Sequence, residues 1–249
     1  MKGTNGIQVI ARAARVLRAL EAHPRGLTSS ELAEEVGLAR STVHRIAAAL
    51  AEECLLVNST PGGGYRLGPA LASLATAARR ELLLELHPDL VRLAEAANET
   101  VDLAVLDGSR VLFVDQVPVP RRLAAVSAVG MAFPAHCTAN GKALLAALTD
   151  AEVERLLPAQ LDAETPQTIT SRRALFEELD QVRAEGVAYD REEHTPGIAA
   201  VGAVVGSPRG AMAAVTIPLP AERFYGNETS LAATLLQACR TMRRTLEAG

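Results

Sequence analysis

Thr28-Ser29-Ser30-Glu31-Leu32-Ala33-Glu34-Glu35-Val36-Gly37-Leu38-Ala39-Arg40-Ser41-Thr42-Val43-His44-Arg45-Ile46-Ala47-Ala48-Ala49-Leu50 reads as two short helices around a turn. Thr28 followed three residues later by Glu31 is a capping-box pattern that starts the first helix. Gly37 can take the positive φ that a tight helix exit needs. The second helix is expected from about Arg40 to Glu53, with Val43, Ile46, Ala47 and Leu50 on one face. Ser41, Arg45 and Ala48 fall opposite, and Thr42 and His44 lie on the flanks. A helix with an apolar back and a short polar and basic front suits the recognition helix of a helix-turn-helix, which makes double-stranded DNA the first partner to consider.

The flanks extend this unit. Val9–His23 has Ile10, Ala13, Ala14, Leu17 and Leu20 at helical spacing and ends at Pro24 and Gly26. Downstream, Leu55–Val57 and Tyr65–Leu67 read as short strands around the glycine-rich loop 58–64. Three helices and a hairpin make a winged helix-turn-helix over residues 1–68. That loop is no phosphate-binding loop, since it lacks the Lys-Ser/Thr ending and a following helix. A linker helix is expected over 69–86, broken by His87-Pro88, and it could pair with its copy in a second subunit.

Residues 87–249 mix helices and strands. Val91–Asn98, Ala139–Ala147, Asp150–Leu157, Arg172–Glu185 and Thr229–Glu247 read as helices. Val101–Leu106 and Val111–Gln116 read as a hairpin around Asp107-Gly108-Ser109. Val187–Tyr189, Gly197–Gly206 and Ala211–Pro218 read as extended. Strand pairs interrupted by helices predict α+β with an antiparallel sheet rather than a regular βαβ alternation.

The chain has 249 residues, 49% hydrophobic and 22% charged, enough for real cores and against disorder. Its net charge of −4 hides an asymmetry: residues 1–80 hold ten Lys/Arg against six Asp/Glu (+4), leaving fifteen against twenty-three (−8). A basic head on an acidic body suits DNA reading confined to the head. With 3% aromatics and no Trp, a base-stacking single-strand binder is disfavoured. Cys54, Cys137 and Cys239 form no CxxC pair, so neither a disulfide framework nor a zinc knuckle follows. A reducing cytoplasm is the expected setting, with no signal peptide, membrane span, metal or cofactor.

Several spaced segments resemble the IclR family of bacterial transcription regulators. They are Gly26-Leu27-Thr28, Glu31-Leu32-Ala33, Ser41–Arg45, Tyr65–Gly68, Asn98–Val101, Pro134–Leu145, Arg183–Ala188 and Asp190–Gly197. The helix-turn-helix alone is common to many regulators; His136–Lys142 and Asp190–Gly197 are far more specific. The resemblance implies a winged helix, a linker helix and a C-terminal GAF-like α/β effector-binding domain. It also implies a homodimer or dimer of dimers on palindromic operators, with small organic acids as effectors, aromatic ones included.

In the head, Arg40, Ser41, Thr42, His44 and Arg45 sit where a recognition helix meets base edges and phosphates. Arg45 is the candidate for a bidentate guanine contact. Thr28 is expected at a phosphate, where free helix amides point outward, and Arg66 on the wing. The family's ligand positions fall on Ala125, Phe133, Ala139, Asn140, Asp190, Ile198, Ala200, Thr216 and Pro218. By that resemblance, the amides before the Gly141-Lys142 helix would meet an effector carboxylate. Asn140, Ala200 and Pro218 depart from the pattern of glyoxylate- and pyruvate-sensing members, so a bulkier or aromatic acid is as much in keeping. His136 and Cys137 are read as a buried structural pair. Asp190 is read as bordering the pocket, with Glu192, Glu193 and His194 facing solvent or fixing the loop before Pro196. The rival reading is an enzyme with Ser127, His136 and Asp190 as a triad, against which stands the missing GxSxG around Ser127.

Overall fold

The computed structural model describes residues 5–21, 23, 25–59, 64–120, 127–206 and 212–248. The chain divides into two compact units, Met1–Glu81 and Leu82–Gly249.

In the first unit, α1 (Asn5–Glu21), α2 (Ser29–Val36) and α3 (Arg40–Glu52) enclose Val16, Leu20, Leu32, Val36, Val43 and Ala47. The α2 start is the expected capping box: Thr28 Oγ1 accepts from the Glu31 amide, and the Glu31 carboxylate accepts from the Thr28 amide and hydroxyl. Gly37 closes α2 at φ +65°, where a Cβ would be strained. The strands β1 (Leu27–Thr28), β2 (Leu56–Ser59) and β3 (Gly64–Leu67) form an antiparallel sheet in the order β1-β3-β2. The sequence reading lacked β1, because two residues carry no period; their extended state comes from pairing with Tyr65 and Gly64. Ile10, assigned to the apolar face of α1, is 73% exposed, with Val9 beside it also exposed.

The helix α4 runs from Ala70 to Ala97 with Pro88 inside it. This corrects the break expected at His87-Pro88 and merges two expected helices. An interior proline costs roughly 3 kcal/mol, but Leu86, Leu90 and Leu93 on the same stretch are buried. Burying each stabilises by roughly 1.5–3 kcal/mol, so packing outweighs the local penalty.

The second unit is built on β4 (Val101–Asp107), β5 (Arg110–Val117), β6 (Ala132–Pro134), β7 (Ala188–Arg191), β8 (Ile198–Gly206) and β9 (Met212–Pro220). They form one antiparallel sheet in the order β6-β5-β4-β9-β8-β7. Strand alternation sorts the two faces. Val101, Leu103, Ala199, Val201, Ala203, Val215, Ile217 and Leu219 join the core of α9 (Glu228–Ala248) and the later turns of α4. Ala104, Ala188 and Ala214 face the core of α5 (Ala139–Ala146), α6 (Asp150–Leu156) and α7 (Arg172–Glu185). The smaller residues on this second face let α5 lie close to the sheet. At Gly202 a Cβ would come within 2.7 Å of the Ala139 backbone, so only glycine admits that approach.

Candidate functional site

The close seat of α5 leaves a cavity of about 320 Å³ between its N-terminus and the sheet. Its floor follows from strand register. Asp102 pairs with Thr216 and Thr216 with Gly202; one row on, Pro218 pairs with Ala200 and Ala200 with Asp190. Directly paired residues share a face, as do residues two apart along one strand, so Asp102, Thr216, Pro218, Ala200 and Asp190 all line the cavity. Ala139 and Asn140 enter from the start of α5, Phe133 from β6, and Ile198 from the start of β8.

All eight described residues of the expected pocket set therefore come together, while Ala125 lies outside the described residues. Sequence reading missed Asp102, Phe113, Ser127, Met131, Thr138, His194 and Thr195, which also line the cavity. Asp102 carried a signal, a carboxylate within the apolar strand Val101–Leu106. The others depend on pairings far apart in the chain.

The walls are largely apolar and aromatic. Phe133 lies edge-on to Phe113, centroids 5.1 Å apart, and stacks on His194 at 4.1 Å. Against this stand two buried carboxyls. Asp102 accepts from Ser127 Oγ at 2.6 Å and Gln116 Nε2 at 2.8 Å. Burial pushes it up to about 6 despite those donors. Asp190 accepts from the Glu193 amide at 2.7 Å, and burial raises it to about 7. Burial lowers His194, favouring the uncharged ring. Among the described residues, two polar atoms in the cavity have no partner, Asn140 Nδ2 and Thr216 Oγ1.

A buried ion cluster props the 190–197 loop. Lys142, fully buried on α5, donates to Glu193 at 2.6 Å and Glu178 at 2.9 Å. Glu193 is thus buried and fixes the loop, the second of the two expected roles, whereas His194 departs from the expectation by lining the cavity. Glu192 does fix the loop: its carboxylate accepts from the Gly197 amide and Tyr225 hydroxyl. The imagined triad does not form: Ser127 donates to Asp102, and His136 Nε2 meets the Asp162 carbonyl at 2.9 Å. Cys137 is buried with its thiol pushed far up by burial, which disfavours the nucleophilic thiolate. Among the described residues no cluster of three His, Cys, Asp or Glu could hold a metal ion, and no helix is long and apolar enough to cross a membrane.

On the first unit, α3 turns Arg40, Ser41, His44 and Arg45 outward and leaves Thr42 half-buried. His44 Nδ1 lies 3.1 Å from the Tyr65 hydroxyl, tying the helix to the wing strand, where Arg66 is exposed. Thr28 fits a phosphate poorly. Its amide and hydroxyl are taken by Glu31, whose carboxylate sits where the anion would be. The wing tip, residues 60–63, lies outside the described residues.

The model of the bacterial transcriptional regulator IclR C-terminal domain matches residues 74–244, and that of the IclR helix-turn-helix domain matches residues 9–58. The chain belongs to the IclR family. It is 54% identical to the HTH-type transcriptional regulator Rv1719 of Mycobacterium tuberculosis over 94% of this chain and 90% of that one. It is 40% identical to the regulator TtgV of Pseudomonas putida, covering 97% and 92%. An IclR homologue from Microbacterium hydrocarbonoxydans, solved with 4-hydroxybenzoate, shares the fold at TM-score 0.64 and 23% identity, covering 97% and 100%. This IclR chain is thus a transcriptional regulator with a helix-turn-helix DNA-binding domain and an effector-binding domain, not an enzyme.

Proposed function

We propose that this regulator binds a double-stranded operator as a homodimer or dimer of dimers. In this reading α3 lies in the major groove and Arg45 reads a guanine. Arg40, Ser41, Thr42, His44 and the wing residue Arg66 position the head on phosphates and base edges. A small, ring-bearing organic effector fills the cavity at α5 and shifts operator affinity, by coupling of typically about 1–3 kcal/mol. The aromatic acids implied by the resemblance fall within that class. One observation carries the reading: eight residues scattered from Phe133 to Pro218 converge on one mostly apolar cavity of about 320 Å³. That volume is at the lower end of ligand pockets, roughly 300–1,000 Å³. A homologue of the same fold has been solved with 4-hydroxybenzoate, which supports an aromatic ring of that size.

The test is a fluorescence-anisotropy titration of the purified chain on fragments tiling the DNA upstream of its own coding sequence. It is run with and without 4-hydroxybenzoate, benzoate and simple phenols. Salt-sensitive binding to one fragment, altered by a ring compound, is expected. Failure to bind any fragment more tightly than random DNA, in every ligand condition, overturns the proposal.

A further inference from the structure

The cavity's polar groups ask for more than an apolar ring. Asn140 is 2% exposed, and its Oδ1 accepts from the Gly141 amide at 3.0 Å. That bond orients the side-chain amide, so the unpartnered end is the Nδ2 donor. A buried donor without an acceptor is costly, which makes this atom a demand on whatever fills the cavity. The hydroxyl of Thr216, 4% exposed, is equally unpartnered and can give or take a hydrogen bond. Beside them stand the Asp102 and Asp190 carboxyls, 1% and 6% exposed. No Lys or Arg lines the cavity among the described residues, and burial disfavours the charged form of His194.

Three kinds of polar ligand end can be compared against this set. A carboxylate offers acceptors only. It would satisfy Asn140 but would add a third acidic group beside two buried ones, with no Lys or Arg among the described lining residues to offset them. At the start of α5 the Gly141 amide is already taken by Thr138 Oγ1 and Asn140 Oδ1, which removes one donor from such a group. An ammonium offers donors only: it would suit the carboxyls and leave Asn140 Nδ2 unpaired. A hydroxyl does both, accepting from Asn140 while donating to Thr216 or to an Asp oxygen, and it carries no charge into the site.

We infer that the effector is an uncharged aromatic compound bearing a hydroxyl, a phenol or aryl alcohol, held by Asn140 and Thr216 with its ring against Phe133 and Ile198. The inference rests on the reading that this cavity is the effector site, and it departs from the carboxylate that the family resemblance implies. Size agrees: a dry cavity of about 150 Å³ already takes benzene, so roughly twice that volume holds a substituted or fused ring.

The test is calorimetric titration of the full-length protein at neutral pH with four shape-matched probes, namely 4-methylphenol, 4-methylbenzoate, 4-methylbenzylamine and para-xylene. The phenol is expected to bind at least about tenfold more tightly than each of the others, as one added hydrogen bond to a buried donor supplies. The near-isosteric Thr216→Val and Asn140→Leu variants, checked for unchanged melting, should each shrink the phenol-over-xylene preference several-fold. Preference for the benzoate or the amine overturns the hydroxyl assignment while leaving the cavity as the effector site. The cavity reading itself is tested by Ala200→Met, which narrows the floor. If this variant folds normally and binds the preferred probe with unchanged affinity, or if none of the four probes binds the wild type, that reading fails.

Discussion

Replacing Lys142 by Met tests how the cavity loop is held. The Lys142 side chain is fully buried, with its ammonium 2.6 Å from Glu193 and 2.9 Å from Glu178. Methionine keeps an unbranched stem of similar length, so packing changes little. What is lost is the only cation paired with Glu193 among the described residues; Glu193 is itself 5% exposed, and its amide donates to Asp190. Removing one partner of a buried pair costs roughly 3–5 kcal/mol, because the remaining charge is left uncompensated. At about 2–4 °C per kcal/mol for a domain of this size, the melting transition of the second unit should fall by roughly 6–20 °C. Scanning calorimetry is the suitable assay, since two units need not unfold in one step. A carboxylate stripped of its cation can escape by taking up a proton, so the loss should be larger at pH 8 than at pH 5. Glu193→Gln in the same chain should recover much of it. A loss under about 1 kcal/mol, equal at both pH values, would refute the view that this cluster holds the loop.

The remaining predictions follow the same residues. Asp190 is raised from 3.8 to about 7 in the folded chain, so the folded state holds the proton more tightly than the unfolded one. Its contribution is harmless below about pH 4 and becomes a penalty as pH rises to about 7, reaching at most about 4 kcal/mol by linkage. Asp190→Asn should therefore gain on the wild type from pH 5 to pH 8 in chemical denaturation; a constant difference would contradict the raised value. Arg45→Ala should weaken binding to a specific operator by about 1–3 kcal/mol and relax base preference at one position. A gel-shift series with mutated operators checks this, and unchanged affinity removes Arg45 from base reading. Gly202→Ala should push the Ala139 and Asn140 backbone off the sheet, lowering stability by roughly 1–3 kcal/mol. Ring-compound binding should weaken with it, and calorimetry showing intact binding would place the ligand elsewhere.

Local rules reached furthest where structure is short-range. The capping box at Thr28–Glu31, the αL exit at Gly37 and the apolar stripe Val43, Ala47 are written within a few residues, and the three-dimensional structure keeps them. Helix Arg172–Glu185 has the bounds read from its pattern. Local rules failed where distant partners decide. Pro88 reads as a breaker, yet the burial of Leu86, Leu90 and Leu93 carries the helix through it. Ala132–Pro134 has no strand pattern of its own and is extended because Arg110, Val111 and Leu112 pair with it.

The head and its exposed α3 were thus settled by the order of residues, because helix caps and amphipathic faces are local properties of the chain. Eight of the pocket positions were legible only through resemblance to a family; nothing in their spacing joins Phe133 to Pro218. Strand register brought them together, placing Asp102, Thr216, Asp190 and Ala200 on one face of a sheet. The electrostatics of that face also belong to tertiary structure alone. Two carboxyls resist ionisation and two polar atoms stand unpartnered because packing removed water from them, which composition cannot foretell.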